Sequence, residues 1–146
     1  MENAFLIGER IALRPLELAD AARLARLVTR PEVRPFLNGR RPLSVHAEEA
    51  WLRAQAESTD VVLGVVLREG GQLIGTVGLH ALSGDPRGRE LGIAIGEPSC
   101  WGKGYGTETL RLVLDYAFRE LEVHRVQLRV FETNPRARAA YLKVGF

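Results

Sequence analysis

A mixed α/β sheet with helices on both faces is the fold class that this chain of 146 residues predicts. Strand-like and helix-like periodicities follow one another in the order β-α-α-β-β-β-α-β-α, which layer architecture turns into a sheet covered by helices. Its anchor is the stretch from Ile93 to Glu108, where a short apolar strand enters a loop with glycine at 102, 104 and 106. A strongly amphipathic helix follows at once. The length corresponds to one domain, residues 1–146, large enough to bury a core.

The elements can be justified in turn. Ile11 and Leu13 point one way and Ala12 and Arg14 the other, a period-two strand. Asp20 stands where an N-cap would, ahead of a helical stripe of Leu24, Leu27 and Val28. From Pro31 to Pro42, three prolines and a glycine predict an irregular connection. Ser44 caps a second helix whose inner face is expected to be Ala47, Ala50, Trp51 and Ala54. Val61 to Leu67 and Leu73 to Leu79 are β-rich runs on either side of Glu69-Gly70-Gly71-Gln72, a hairpin by its turn residues. Ser83 to Gly88 is expected to be a flexible loop, and Glu90 to Glu97 the next strand.

After the glycine loop, Leu110, Val113, Leu114, Ala117, Phe118 and Leu121 keep strict helical spacing. Opposite them, Arg111–Asp115 and Asp115–Arg119 are i,i+4 ion pairs, and Glu108 puts negative charge in the first turn. Val126, Leu128 and Val130 alternate with Gln127, Arg129 and Phe131 as a further strand. Asn134 as N-cap, Pro135 at the first helical position and a stripe of Ala137, Ala140, Tyr141 and Val144 define the last helix.

Bulk properties exclude several function classes. A net charge of +2, with no run of Lys or Arg, gives no footprint for nucleic acid. No apolar run reaches the roughly 18 residues of a membrane span, and Met1 to Arg10 lacks the apolar centre of a signal peptide. Cys100 is the single cysteine, which rules out an internal disulfide and suits a reducing, cytoplasmic setting. Three scattered histidines and one cysteine make no metal-ligand cluster, so no metal is expected.

Glycines at 102, 104 and 106 let a backbone approach a ligand closely, and the helix that follows begins with about four unpaired N–H groups at its positive end. That combination is an anion site, and phosphate is the natural anion. A phosphate-loop NTPase needs Gly-Lys-Ser/Thr, but Lys103 lies between two glycines with no hydroxyl after it. A dinucleotide fingerprint needs a third glycine where Thr107 or Thr109 stands. Both common nucleotide motifs therefore fail.

Gly92-Ile93-Ala94-Ile95-Gly96-Glu97 followed by Trp101-Gly102-Lys103-Gly104-Tyr105-Gly106-Thr107-Glu108 closely resembles the acetyl-coenzyme A loop of the GNAT superfamily of N-acetyltransferases. Trp101 occupies the position that most of the family fills with Gln or Arg. That variant resembles the branch of ribosomal-protein alanine N-acetyltransferases and spermidine acetyltransferases. Asn134-Pro135-Arg136-Ala137, continuing to Tyr141 and Gly145-Phe146, resembles the family's closing helix. Glu9 to Leu16, with Asp20 after it, is similar to that branch's first strand and helix, so the resemblance spans residues 9–146.

The resemblance implies an acyl-CoA N-acyltransferase fold that moves an acetyl group from acetyl-CoA to a primary amine, such as a protein N-terminal α-amine. Direct attack through a tetrahedral intermediate is expected. An alkyl ammonium with a pKa near ~10.4 must lose a proton first, backbone N–H groups must hold the oxyanion, and the thiolate needs an acid. The implied cofactor site comprises Ile93, Ile95, Gly96, Trp101, Gly102, Lys103, Gly104, Tyr105, Gly106, Thr107, Asn134 and Tyr141. Strand 91–96 pairs with the pantetheine arm, splayed from its neighbour with a bulge at Gly92 or Gly96, and the Ile95 or Gly96 amide is the oxyanion donor. Tyr141 is the acid candidate, although its spacing alone reads as core. Asn134 reads equally as cap and as ligand.

Glu90 is the candidate base, at the start of that strand. Glu97, Glu132, Asp85, His80 and His46 follow it, His124 reads as structural, and Cys100 offers an acyl-cysteine route that the family's direct transfer disfavours. Members of the family continue past the Gly-Phe pair into two more strands, whereas this chain ends at Phe146. The expectation is a missing tail, strands supplied by a partner chain, or an open edge that favours a homodimer. Alternative functions are acetylation of a polyamine or antibiotic-type amine, and a non-catalytic acyl-CoA sensor.

Overall fold

Among the described residues, six strands form one sheet in chain order: β1 (Leu6–Ile7), β2 (Ile11–Pro15), β3 (Val61–Leu67), β4 (Leu73–Leu82), β5 (Asp85–Ile95) and β6 (Arg125–Gln127). Neighbours from β1 to β5 pair antiparallel, and β5 pairs with β6 in parallel. Helices α1 (Ala21–Thr29), α2 (Val45–Gln55), α3 (Tyr105–Arg119) and α4 (Pro135–Lys143) flank the sheet. This computed structural model describes residues 3–37 and 42–146. Of the expected connection from Pro31 to Pro42, residues 38–41 lie outside the described residues, and its described part holds a 3-10 turn at Arg34–Phe36.

The period-two pattern of β2 divides the core as expected. Ile11 and Leu13 join Val65, Val77 and Leu79 under α3 and α4, where Leu110, Val113, Ala117 and Tyr141 meet them. Ala12 and Val66 face the other way, against Leu24 and Leu27 of α1 and Leu52 of α2. Each buried valine, leucine or isoleucine among them contributes about 1.5–3 kcal/mol by leaving water. The mixed α/β sheet with helices on both faces is therefore present, extended by the unexpected strand β1 that pairs Leu6 with Leu13.

Several local expectations are corrected. Helix α2 is capped by Ser44, whose Oγ accepts from the Ala47 amide at 3.1 Å, but it buries Glu48 and Leu52 while Ala47, Ala50 and Ala54 are exposed. One leucine outweighs three methyl groups in transfer free energy, so the helix turns toward Leu52. Asp20 precedes α1 without capping it. Its carboxylate instead takes Arg14 Nη1 and Nη2, both at 2.9 Å, and the Glu17 amide.

The loop expected over 83–88 is a tight turn at Ser83-Gly84 followed by β5, with Gly84 at φ 77°. Pro86 fits there because it lies at the strand's first turn of pairing, where a register shift between Ala81 and Leu82 has already broken the ladder. The strand expected over 126–131 is paired only at Arg125–Gln127. Phe118, expected in the core, is 48% exposed. Asn134 does cap α4, accepting from the Ala137 amide at 3.2 Å.

Candidate functional site

The glycine loop enters α3 through Gly104, its N-cap, at φ 85°, and Gly102 at φ 74° makes the preceding turn. Both angles are left-handed, where a Cβ is strained. No side chain caps α3, and the N–H groups of Tyr105, Gly106 and Thr107 have no partner among the described residues. A Cβ added at Gly106 would meet nothing within 4 Å. An uncapped helix start that opens on empty space fits an anionic group.

Glu108 fixes this loop to the sheet. Its Oε2 accepts from the Arg10 and Ile11 amides at 2.8 and 3.0 Å, and its Oε1 from Arg10 Nε at 3.1 Å. Arg10 Nη1 donates to the Lys103 carbonyl at 2.6 Å, and the guanidinium lies 4.8 Å from the Tyr105 ring. Burial alone would raise the Glu108 pKa, but the two amides and the guanidinium outweigh it and hold the carboxyl below its ordinary range.

On the other side of the loop, Trp101 Nε1 donates to the Ile95 carbonyl at 2.7 Å. The Arg136 guanidinium sits 3.8 Å from the Trp101 ring and 5.4 Å from that of Phe36, and burial lowers its pKa.

Strand β5 presents two different edges. The Gly96 amide donates to the Ile74 carbonyl at 2.9 Å, so by antiparallel alternation Gly92 and Ala94 also face β4. The amides of Ile93 and Ile95 therefore face the opposite edge. That edge is covered by β6 only from Gly88 to Glu90, and beyond it no described strand pairs with β5. The β5 edge is open here because the pairing with β6 stops at Glu90. The pairing of β4 with β5 is regular from Gly75 to Ala81, so the bulge expected at Gly92 or Gly96 is not what opens it.

Two cavities meet along this strand. The first, about 290 Å³, is lined by Ile93, Ile95, Trp101, Gly102, Gly104, Tyr105, Gly106, Thr107, Asn134 and Tyr141 among others. Gly96 and Lys103, expected with them, lie outside the lining. The Gly96 amide is used by Ile74, a Cβ at Gly96 would meet Leu27 of α1 at 2.7 Å, and the Lys103 carbonyl is used by Arg10. The Gly96 amide is thus engaged within the sheet, whereas that of Ile95 faces the open edge. Cys100, Arg136, Ala137 and Ala140 also line this cavity and were not among the expected residues. The helical stripe had placed Ala137 and Ala140 inward, but nothing local brings Arg136 over Trp101.

The second cavity, about 720 Å³, takes in His80, Glu90, Gly92, Arg129 and Trp51. Ile93, Ala94, Asn134 and Tyr141 line both. Tyr141 is 8% exposed, and burial pushes its phenol pKa up, which keeps the proton on at neutral pH.

Glu90, the candidate base, is tied into hydrogen bonds and lines the second cavity. Gln127 Nε2 and Arg129 Nη2 each donate to it at 3.1 Å, and those contacts hold its pKa below the usual range. Glu97 is taken by Arg23 and Arg30, both at 3.1 Å. Asp85 faces His124 and Arg125. His46 is 96% exposed beside Glu49, and Glu132 lies outside both linings. Among the described residues no group of three His, Cys, Asp or Glu could hold a metal, and no helix is long and apolar enough to cross a membrane.

Residues 10–146 match the family described as acetyltransferase (GNAT) domain. The chain belongs to the GNAT acetyltransferase family. A putative ribosomal N-acetyltransferase of Bacillus subtilis (strain 168), YdaF, is 31% identical over 148 residues, covering 96% of this chain and 79% of its own. An acetyltransferase (GNAT family) from Bacillus anthracis has the same fold, with TM-score 0.84 at 20% identity over 96% of this chain and 81% of its own. A chimera built on the Vibrio cholerae spermidine N-acetyltransferase gives TM-score 0.81 at 26% identity, covering 94% and 80%. As a GNAT member the protein is an acetyl-CoA-dependent N-acetyltransferase. The mixed sheet and its helix order are those of the family.

Proposed function

We propose that the protein transfers the acetyl group of acetyl-CoA to a primary amine, with a protein N-terminal α-amine as the acceptor class. The observation that carries this reading is the meeting of two cavities at Ile93, Ala94 and Tyr141. One has the features of a diphosphate cradle, and the other is wide enough for a chain end to enter. The name of the Bacillus subtilis relative supports a ribosomal-protein acceptor.

In this reading the free amides of Tyr105, Gly106 and Thr107 take the diphosphate of coenzyme A, and Arg136 adds a cation beside it. The outward amide and carbonyl of Ile93 hold the pantetheine arm as an added strand would. The Ile95 amide faces the thioester carbonyl as oxyanion donor. Tyr141, protonated and shared by both cavities, gives its proton to the departing thiolate. Glu90, kept anionic by its partners, draws the ammonium into the second cavity. Transfer is direct, without an acyl-cysteine.

A polyamine or antibiotic-type amine is the second reading, favoured by the anionic Glu90 in the acceptor cavity and by the spermidine acetyltransferase relative. Tyr141 between the cavities argues against a pure acyl-CoA sensor, which would not use that phenol. The single cysteine supports a cytoplasmic setting. The β5 edge that β6 leaves uncovered beyond Glu90 supports a homodimer. Thiol release from acetyl-CoA with a panel of peptide, polyamine and aminoglycoside amines tests the reading. Turnover should favour peptide N-termini. Preference for polyamines moves the assignment to the second reading, and the absence of thiol release with every amine, despite coenzyme A binding, supports the sensor.

A further inference from the structure

Asp60, just before β3, and His80 on β4 form a dyad, and His80 lines the second cavity. His80 Nδ1 lies 2.9 Å from Asp60 Oδ2, while Asp60 Oδ1 accepts from the Ala81 amide at 2.8 Å. Asp60 is thus held from two directions. Burial would raise its pKa, but the Ala81 amide and His80 outweigh that and keep it below the usual range, an acceptor-only carboxylate. An acceptor at Nδ1 requires the hydrogen there, so in the neutral ring Nε2 carries the lone pair. Nε2 has no partner among the described residues.

The ring rests on two glycines that pair across the sheet, Gly78 and Gly92. A Cβ at Gly78 would come within 2.7 Å of Nε2, and one at Gly92 within 3.5 Å. Either side chain would crowd the imidazole, so the glycine pair makes its seat. Gly92 immediately precedes Ile93, where the two cavities meet. Opposite His80 in register stands Glu90, tied to Gln127 and Arg129.

We propose that His80 is the general base of the acetyl transfer and that Asp60 is its positioning residue. This rests on the amine-acetylation reading above. His80 Nε2 takes one proton from the acceptor ammonium and passes it to solvent. The nitrogen lone pair then forms the C–N bond to the thioester carbonyl carbon, and the C–S bond breaks with its electron pair on sulfur. Sulfur takes the Tyr141 proton, and the nitrogen's second proton restores the phenol through solvent, so one proton is released overall. The charged groups facing the imidazole are Asp60, Glu90 and, through Glu90, Arg129, while Arg89 acts on Asp60.

The test is steady-state thiol release across pH for wild type, His80→Gln, Asp60→Asn and Glu90→Gln. Coenzyme A titration calorimetry serves as the folding control, and nitrogen NMR reports the His80 tautomer. H80Q should bind coenzyme A with wild-type affinity, lose about 10²-fold or more in kcat, and lose the acidic limb of the pH profile. D60N should shift that limb and lower kcat less, with mixed His80 tautomers. E90Q should retain the limb. Wild-type turnover in H80Q, loss of the limb in E90Q instead, or hydrogen on Nε2 in the neutral wild type overturns the proposal. Failure of the wild type to acetylate any amine removes the underlying reading as well, an outcome distinct from an active H80Q.

Discussion

Glu108 and Arg10 lie 98 residues apart and are joined through both backbone and side chain, with the Arg10 amide and Nε donating to the two oxygens of one carboxylate. Since Arg10 Nη1 also holds the Lys103 carbonyl, the first turn of α3 and the glycine loop are fastened to the start of β2. The loop's shape is thus set from the sheet.

Replacing Glu108 with Gln should therefore loosen the loop and destabilise the fold by about 2 kcal/mol at neutral pH, the scale of charge-assisted hydrogen bonds. The Glu108 carboxyl is held below its ordinary range, so its contribution is present above the unfolded value near ~4.3 and fades as pH falls through the folded value. Urea denaturation of both proteins between neutral pH and pH ~3 checks this. The gap should close at the acid end, and a gap that stays constant would show that the charge is irrelevant.

Gly106→Ala separates ligand from fold. With open space around that Cβ and an ordinary helical backbone, alanine should raise stability by about 0.5–1 kcal/mol. The same methyl group enters the cradle and should weaken coenzyme A binding several-fold. Thermal denaturation and calorimetry on one sample give both numbers.

Tyr141→Phe keeps the ring against Phe146, 6.0 Å away, and removes only the phenol. Folding and coenzyme A affinity should be preserved while kcat drops roughly 10²-fold or more, the range for a positioned acid. An unchanged kcat would return Tyr141 to a packing role.

Glu48 is buried on α2, and burial raises its carboxyl pKa. For an acid with a raised folded pKa, the native state binds the extra proton, so stability falls as pH rises between the unfolded and folded values. Glu48→Gln should be more stable than wild type at pH 7 by about 1 kcal/mol, with the advantage vanishing in mild acid. Chemical denaturation at the two pH values decides it.

The fold was legible where a single short-range rule governed it. Ile11, Ala12 and Leu13 announced the two faces of the sheet, and Ser44, Asn134 and Pro135 announced two helix starts. It was misread where size outweighed count, as when Leu52 set the face of α2 against three alanines. Gly84 and Pro86 looked like loop residues because a tight turn and a strand start use the same chemistry. The uncapped, glycine-led start of α3 was legible because glycine spacing and helix onset are local. The second cavity was not, because Asp60 meets His80 only when β3 pairs with β4, and Glu90 meets Arg129 only when the chain after β6 lies against β5. Arg136 over Trp101 is hidden for the same reason.

The most direct test of the whole account is a calorimetric titration of coenzyme A, and in parallel of pantetheine, into the wild-type chain and Gly106→Val. If the amides of residues 105–107 hold the diphosphate, coenzyme A binds at one site, pantetheine binds at least about tenfold more weakly, and the valine variant loses the difference while remaining folded. Equal affinity for the two compounds, or wild-type affinity in the valine variant, would contradict it.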